Sequence, residues 1–195
     1  MNLAIRAEIE SIQPLDPLEA TQRAEALAWV DSGAQLFRLQ KPAIPPKHLV
    51  AYFAVVDGSG ILLVDHKNAG LWLPTGGHVE PGEHPRTTVA RELVEELGFS
   101  AAHAIGSPVM ITCADTVGLT AGHTDVSLWY VVHADRAQKI TFDESEFNTV
   151  RWFDFSEVPY GQSDPHMRRF IEKIQMPARM RLPAIDSLLN CASQH

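Results

Sequence analysis

Cysteine is scarce: Cys113 and Cys191 are the two in 195 residues, too few for a disulfide framework. Cys113 sits in an apolar run and reads as a small buried residue rather than a reactive thiol. Positive charge is also short, with 16 Lys and Arg against 24 Asp and Glu and a formal net charge of −8. That balance argues against broad binding to nucleic acid or to a membrane surface. No apolar stretch approaches the length of a membrane span and no signal peptide is visible, so a cytoplasmic location is expected. Internal repeats and low-complexity tracts are lacking. So are G-x-S-x-G, HExxH and a Walker loop, and no covalent nucleophile stands out. What remains is 45% hydrophobic residues, enough to bury the core of one domain with extensions.

The densest stretch is GGHVEPGEHPRTTVARELVEELGF, from Gly76 to Phe99. Pro85 suits the first position of a helix, and Gly98 the left-handed position just past its end. Between them Val89, Ala90, Leu93, Val94 and Leu97 recur at helical spacing and define an apolar face. Glu92, Glu95 and Glu96 stand at i, i+3 and i+4, on a face read as opposite Leu93. A solvated face and a cation site both fit that spacing. Like charges at these intervals repel, and the helix C-terminal half disfavours anions. Arg91 supplies one compensating charge. A divalent cation would supply more, and carboxylate oxygens suit hard ions. Ahead of the helix, Leu71-Trp72-Leu73 reads as a short strand and Thr75-Gly76-Gly77 as a glycine loop. Glu80-Pro81-Gly82-Glu83 reads as a tight turn.

These residues resemble the Nudix box. Gly77, Glu83 and the run Arg91-Glu92-Leu93-Val94-Glu95-Glu96-Leu97-Gly98-Phe99 match every fixed position of that pattern. A weaker likeness to a Nudix domain extends from about Leu49 to Gln175 as an order of strands and helices. The resemblance implies an α/β/α sandwich with a mixed sheet. It implies that Glu92, Glu95 and Glu96 hold Mg²⁺, with Mn²⁺ as a substitute, and that the carbonyl of Gly76 adds a ligand in some members. One glutamate, most often the counterpart of Glu92, acts as general base. Arg91 orients the glutamates and Glu83 braces the loop through Arg91. The reaction implied is hydrolysis of a nucleoside diphosphate linked to a further group. A nucleotide-binding sensor without turnover is a second reading. An isomerase of isoprenoid diphosphates ranks last, because no cysteine stands near the glycine loop.

Residues 1–46 are expected to form an N-terminal helical extension with a Pro-rich connector, 47–175 the Nudix domain and 176–195 an irregular C-terminal tail with one short helix. Asp16-Pro17-Leu18-Glu19 resembles a capping box. Leu18, Leu27, Trp29 and Val30 supply apolar surface, and Asp31-Ser32-Gly33 ends that helix. An earlier helix would carry Ile5, Ile9 and Ile12. The extension is expected to pack on the domain or on a second subunit, as a homodimer. Strands are expected over Leu49–Val56 and Ile61–Asp65, joined by Asp57-Gly58-Ser59-Gly60, and near Val109–Cys113, Thr124–Val132 and Phe147–Phe155. A last helix starts at Asp164-Pro165.

Other residues have two readings each. Glu146 is a solvated loop acid or, as in some family members, a further metal ligand. His123 and Asp125 form a weak H-x-D metal pair. His78 and His84 flank the box loop and could touch phosphates. Trp72 and Tyr130 could stack a base or belong to the core. For the substrate, Pro108 comes too soon for the proline of ADP-ribose hydrolases, and Tyr130 too late for the tyrosine of dinucleoside polyphosphate hydrolases. The signatures of the NADH and coenzyme A enzymes are absent. Elimination leaves a nucleoside triphosphate, as in MutT-like members, with nucleotide sugars and dinucleotides as alternatives.

Overall fold

The computed structural model describes residues 1–41, 44–116 and 122–176. The expected short helix of the tail lies outside them, as do residues 42–43 of the connector. The chain opens with two helices, α1 (Asn2–Ser11) and α2 (Pro17–Asp31). Asp16 caps α2 by accepting the Glu19 N–H at 2.9 Å, and Pro17 stands at its start. Strand β1 (Lys47–Asp57) then turns through Gly58-Ser59 into β2 (Gly60–His66), with Asp57 opposite Gly60. Gly58 takes the positive φ that a two-residue hairpin requires. There follow β3 (Leu71–Leu73), β4 (Thr75–His78), helix α3 (Pro85–Leu97), β5 (Met110–Asp115), β6 (Thr124–His133), β7 (Phe147–Asp154) and α4 (Met167–Gln175).

The seven strands form one mixed sheet. β1 runs parallel to β6, from Lys47 opposite Thr124 to Val56 opposite His133, and every other pairing is antiparallel. Alternate residues of the central strands serve different layers. Leu49, Ala51, Phe53 and Val55 of β1 join Val126, Leu128, Tyr130 and Val132 of β6 in a cluster with α1, α2 and α3. Ala54, Val56 and Trp129 face the other way, onto Met167, Phe170 and Ile171 at α4. Helices on both faces explain why β1 reads as an almost unbroken apolar run.

The glycine run before the box helix is a strand, not a loop. Along β1, β2 covers only the end, at Val55 to Asp57, and β4 takes the stretch Val50 to Phe53 on the same strand. Two glycines in four residues carry no strand propensity of their own, so this pairing comes from the partner edge.

The N-terminal extension folds onto its own domain. Ile5, Ile9, Ile12, Ala26 and Val30 are buried in the same cluster as β1. Polar contacts fix the packing: Tyr130 donates to Glu8 at 3.1 Å, and Arg169 donates to both oxygens of Asp16 at 2.8 Å. Lys173 of α4 and Glu19 of α2 form a fully buried ion pair. Leu18, expected on the apolar surface of α2, points outward instead. Met1, Leu3, Leu18, Leu39 and Ile44 are the large apolar side chains exposed among the described residues of the extension. Tyr130 is a core residue, not a base-stacking one.

Candidate active site

Helix α3 carries the box glutamates, and its two ends are built by side chains and loops around it. His84 caps the first turn by accepting the Arg86 N–H at 3.2 Å. Gly98 takes φ +72° at the other end. There the loop after the helix closes over the free carbonyls: Thr141 N–H donates to Leu97 O at 3.0 Å and Asp143 N–H to Glu96 O at 3.1 Å. This closure holds the Asp143–Glu146 turn against α3, and Glu146 is close enough for its charge to act on Glu92 and Glu96.

The three box carboxylates do not share one environment. Glu96 is only 7% exposed and accepts the Gly76 N–H of β4 at 3.1 Å. Glu92 lies over Gly77, where an added Cβ would stand 1.8 Å from Glu92 Oε1. Glu95 keeps 57% of its side chain exposed. At about 100° per residue, Glu96 is only about 60° from Leu93 around the helix. It therefore belongs to the edge of the buried face, and the reading that put all three opposite Leu93 fails there. Val94, expected in the apolar stripe, is on the outer side.

Arg91 ties the group together. Its guanidinium donates to both oxygens of Glu83 at 3.1 Å, to Glu92 at 2.6 Å, to Glu95 at 3.0 Å and to the His78 carbonyl at 3.4 Å. Glu83 also accepts from the Thr88 hydroxyl at 2.7 Å. Burial pushes the Glu83 carboxyl up, but the bonds from Arg91 and Thr88 more than offset it and leave it below the ordinary range. Burial also pushes Glu92 up, and there the bond from Arg91 does not cancel it. Glu96 is pushed up to about 9, by burial first and then by the charges of Glu92 and Glu146. Its ionised form lacks compensation, which is the condition a bound cation relieves.

A tighter set of metal-ligating groups lies at the other end of β4. The donor atoms of His48, His78, His123 and Asp125 all lie within 4.8 Å of one another, the close-set group of this kind among the described residues. The sequence reading paired His123 with Asp125 and missed His48, which stands as a lone histidine at the head of an apolar strand. The register that brings it opposite Asp125 is a long-range one. His78, expected at a phosphate, directs its Nε2 to within 3.9 Å of Asp125 Oδ1. Trp72, the other substrate-contact candidate, packs edge-on against Phe153 with ring centroids 5.0 Å apart.

The NUDIX domain family matches residues 46–174. The chain belongs to the Nudix family. An NAD-capped RNA hydrolase, NudC, from Haemophilus influenzae is 30% identical over 147 residues, which are 71% of this chain and 48% of the relative. The chain thus spans about half the length of that curated Nudix relative. A putative 8-oxo-dGTP diphosphatase from Bacillus subtilis is 48% identical over 46 residues, 24% of this chain and 31% of that protein. Among solved structures, a MutT NUDIX hydrolase from Burkholderia pseudomallei superposes with a TM-score of 0.51 at 24% identity, covering 66% of this chain and 98% of that one. This last likeness bears on the Nudix fold alone. No described helix of this Nudix chain is long and apolar enough to cross a membrane.

Proposed function

We propose that this chain hydrolyses a diphosphate linkage in a nucleoside diphosphate derivative, with a nucleoside triphosphate as the substrate. The observation that carries the reading is the seating of Glu92 and Glu96 against Gly77 and Gly76 of β4, with Arg91 bonded to Glu92, Glu95 and Glu83. The residues fit a divalent cation: their oxygens are hard donors, and Glu96 is a buried carboxylate without a compensating charge. Glu92, Glu95 and Glu96, with Glu146 and the Gly76 carbonyl, would hold Mg²⁺ or Mn²⁺. Such an ion, when bound, neutralises phosphate charge and lowers the pKa of water. Arg91 fixes the rotamer of Glu92 through a charge-assisted bond, itself fixed by the fork onto Glu83. Glu92, raised above its ordinary range by burial, is suited to accept the proton of an attacking water.

A dinucleotide substrate is the second reading, favoured by the 30% identity to the NAD-capped RNA hydrolase. Trp72 and His78 are not required by either reading. One screen tests both, with Mg²⁺ or Mn²⁺: direct release of orthophosphate or pyrophosphate from nucleoside triphosphates, and, from nucleotide sugars and dinucleotides, release of orthophosphate once an added phosphatase acts on the phosphomonoesters that cleavage forms. Metal-dependent release from a triphosphate is the expected result. Release from dinucleotides alone moves the assignment to the second reading. Binding without release from any class would make this a nucleotide-binding module.

A further inference from the structure

We propose that His48, His78, His123 and Asp125 form a second metal site, separate from the box glutamates, that takes a transition ion of the zinc class. Three chain segments deliver the four side chains to one face of the sheet. His48 of β1 stands directly opposite Asp125 of β6. His78 of β4 stands opposite Val50, two residues along β1 from His48, and His123 precedes Asp125 by two. Residues two apart on a strand point to the same side.

The distances suit one small ion. His48 Nε2 and His123 Nε2 each lie 3.3 Å from Asp125 Oδ1, and His78 Nε2 lies 3.9 Å away. Four donors about 2.0–2.1 Å from a tetrahedral ion stand about 3.3–3.4 Å from one another. Two of these contacts already have that length, and side-chain rotation closes the rest.

The outer nitrogens are committed, which frees the inner ones. His48 Nδ1 lies 2.9 Å from the Pro45 carbonyl, so it carries the proton and donates. His123 Nδ1 lies 3.2 Å from Thr116 Oγ1, whose own proton goes to the His123 carbonyl at 3.1 Å. The proposed site takes the tautomer in which His123 Nδ1 donates as well. Each ring is left with a lone pair on Nε2, the arrangement that outer hydrogen bonds impose on metal-binding imidazoles.

Among the described residues, His48 Nε2, His78 Nε2 and Asp125 Oδ1 are buried and find no hydrogen-bond partner. The His48 side chain is fully buried. Its 3.3 Å contact with Asp125 is short enough for attraction but makes no hydrogen bond. Buried polar atoms left in this way are costly, and three around one point imply a shared partner.

Donor type selects the ion. Three imidazoles and one carboxylate suit zinc and its neighbours, whereas Mg²⁺ prefers oxygen donors and retained water. Four protein ligands close the coordination shell, so the site is structural rather than catalytic. Arg38 also acts on Asp125 electrostatically, so the carboxylate is shared between a guanidinium and the ion. The ion would pin the end of β4, whose other residues hold Glu92 and Glu96.

The test uses the full chain, untagged and stripped with a chelator, then titrated with Co²⁺ and with Zn²⁺. One equivalent of Co²⁺ should give the visible bands of a tetrahedral centre, and Zn²⁺ should displace it. Millimolar Mg²⁺ should not. The bands should persist in the triple variant Glu92→Gln, Glu95→Gln, Glu96→Gln. In His123→Gln and in Asp125→Asn, each checked for folding by circular dichroism, affinity should fall at least about tenfold. If one cluster variant fails to fold, the other decides. Absence of bound Co²⁺ and Zn²⁺ in the parent overturns the proposal. So do bands that survive the folded cluster variants, or bands lost in the triple box variant. None of these readouts depends on hydrolysis.

Discussion

Glu96 is where the electrostatics of the box can be measured directly. Its carboxyl is raised from an ordinary 4.5 to about 9 by burial and by neighbouring glutamates. In the unfolded chain it ionises near 4.5, while in the metal-free fold it keeps its proton until about pH 9. The folded state therefore binds more protons across that interval, and stability falls as pH rises through it, by at most about 1.4 kcal/mol per pH unit. Chemical denaturation of metal-free protein at several pH values should show this decline, and Glu96→Gln should flatten it. A parent whose stability is level from pH 5 to 8 would contradict the raised carboxyl. The same proton should leave when a cation binds. Calorimetric titration with Mg²⁺ near pH 7, in two buffers of different protonation enthalpy, should report net proton release in the parent and less in Glu96→Gln. Glu92 is tested through rate. Glu92→Gln keeps a good helix former and should lower turnover of the substrate found by the screen by about 10² or more, with little change in melting temperature. Equal turnover in the two proteins would remove Glu92 from the proton-accepting role.

β4 is the element that turns a helix with glutamates into a site. Its two glycines do different work, and alanine separates them. A Cβ at Gly77 meets the far end of Glu92, at 1.8 Å from Oε1. Gly77→Ala should fold with a small stability loss, because Glu92 can swing away, yet turnover should drop about as far as in Glu92→Gln. A Cβ at Gly76 meets backbone instead, 2.6 Å from the Ala51 carbonyl. Gly76→Ala should loosen the pairing of β4 with β1 and cost about 1–3 kcal/mol in denaturant unfolding. If both variants lose stability equally and keep turnover, the close seating of Glu92 on β4 is not functional. The turn and helix of the box were legible from Pro85, Gly98 and the apolar spacing. The strand character of Thr75–His78 was not, since it comes from the part of β1 that β2 leaves unpaired.

Across the whole molecule, the contact between extension and domain encloses a buried charge pair alongside its apolar cluster. Lys173 and Glu19 are both fully buried, and Glu19 also accepts the N–H groups of Leu15 at 2.8 Å and Ile111 at 3.3 Å. Lys173→Met leaves an uncompensated buried carboxylate and should cost about 3–5 kcal/mol in urea unfolding. Adding Glu19→Gln removes the stranded charge while keeping an acceptor, so the double variant should recover part of that loss. Strict additivity of the two substitutions would show that the residues act independently. Neither partner was legible as such, because they lie at opposite ends of the chain. By itself the sequence determined the box, its helix with both ends, the hairpin and the order of the strands other than β4, since spacing, turn chemistry and alternation are local properties. Tertiary structure decided which glutamate is buried, that the glycine run is a strand, and that the extension folds back on its own sheet. It also decided that His48 and His78 join His123 and Asp125. Each of those depends on strand register and on which face of an element meets a distant neighbour, and no local pattern encodes that pairing.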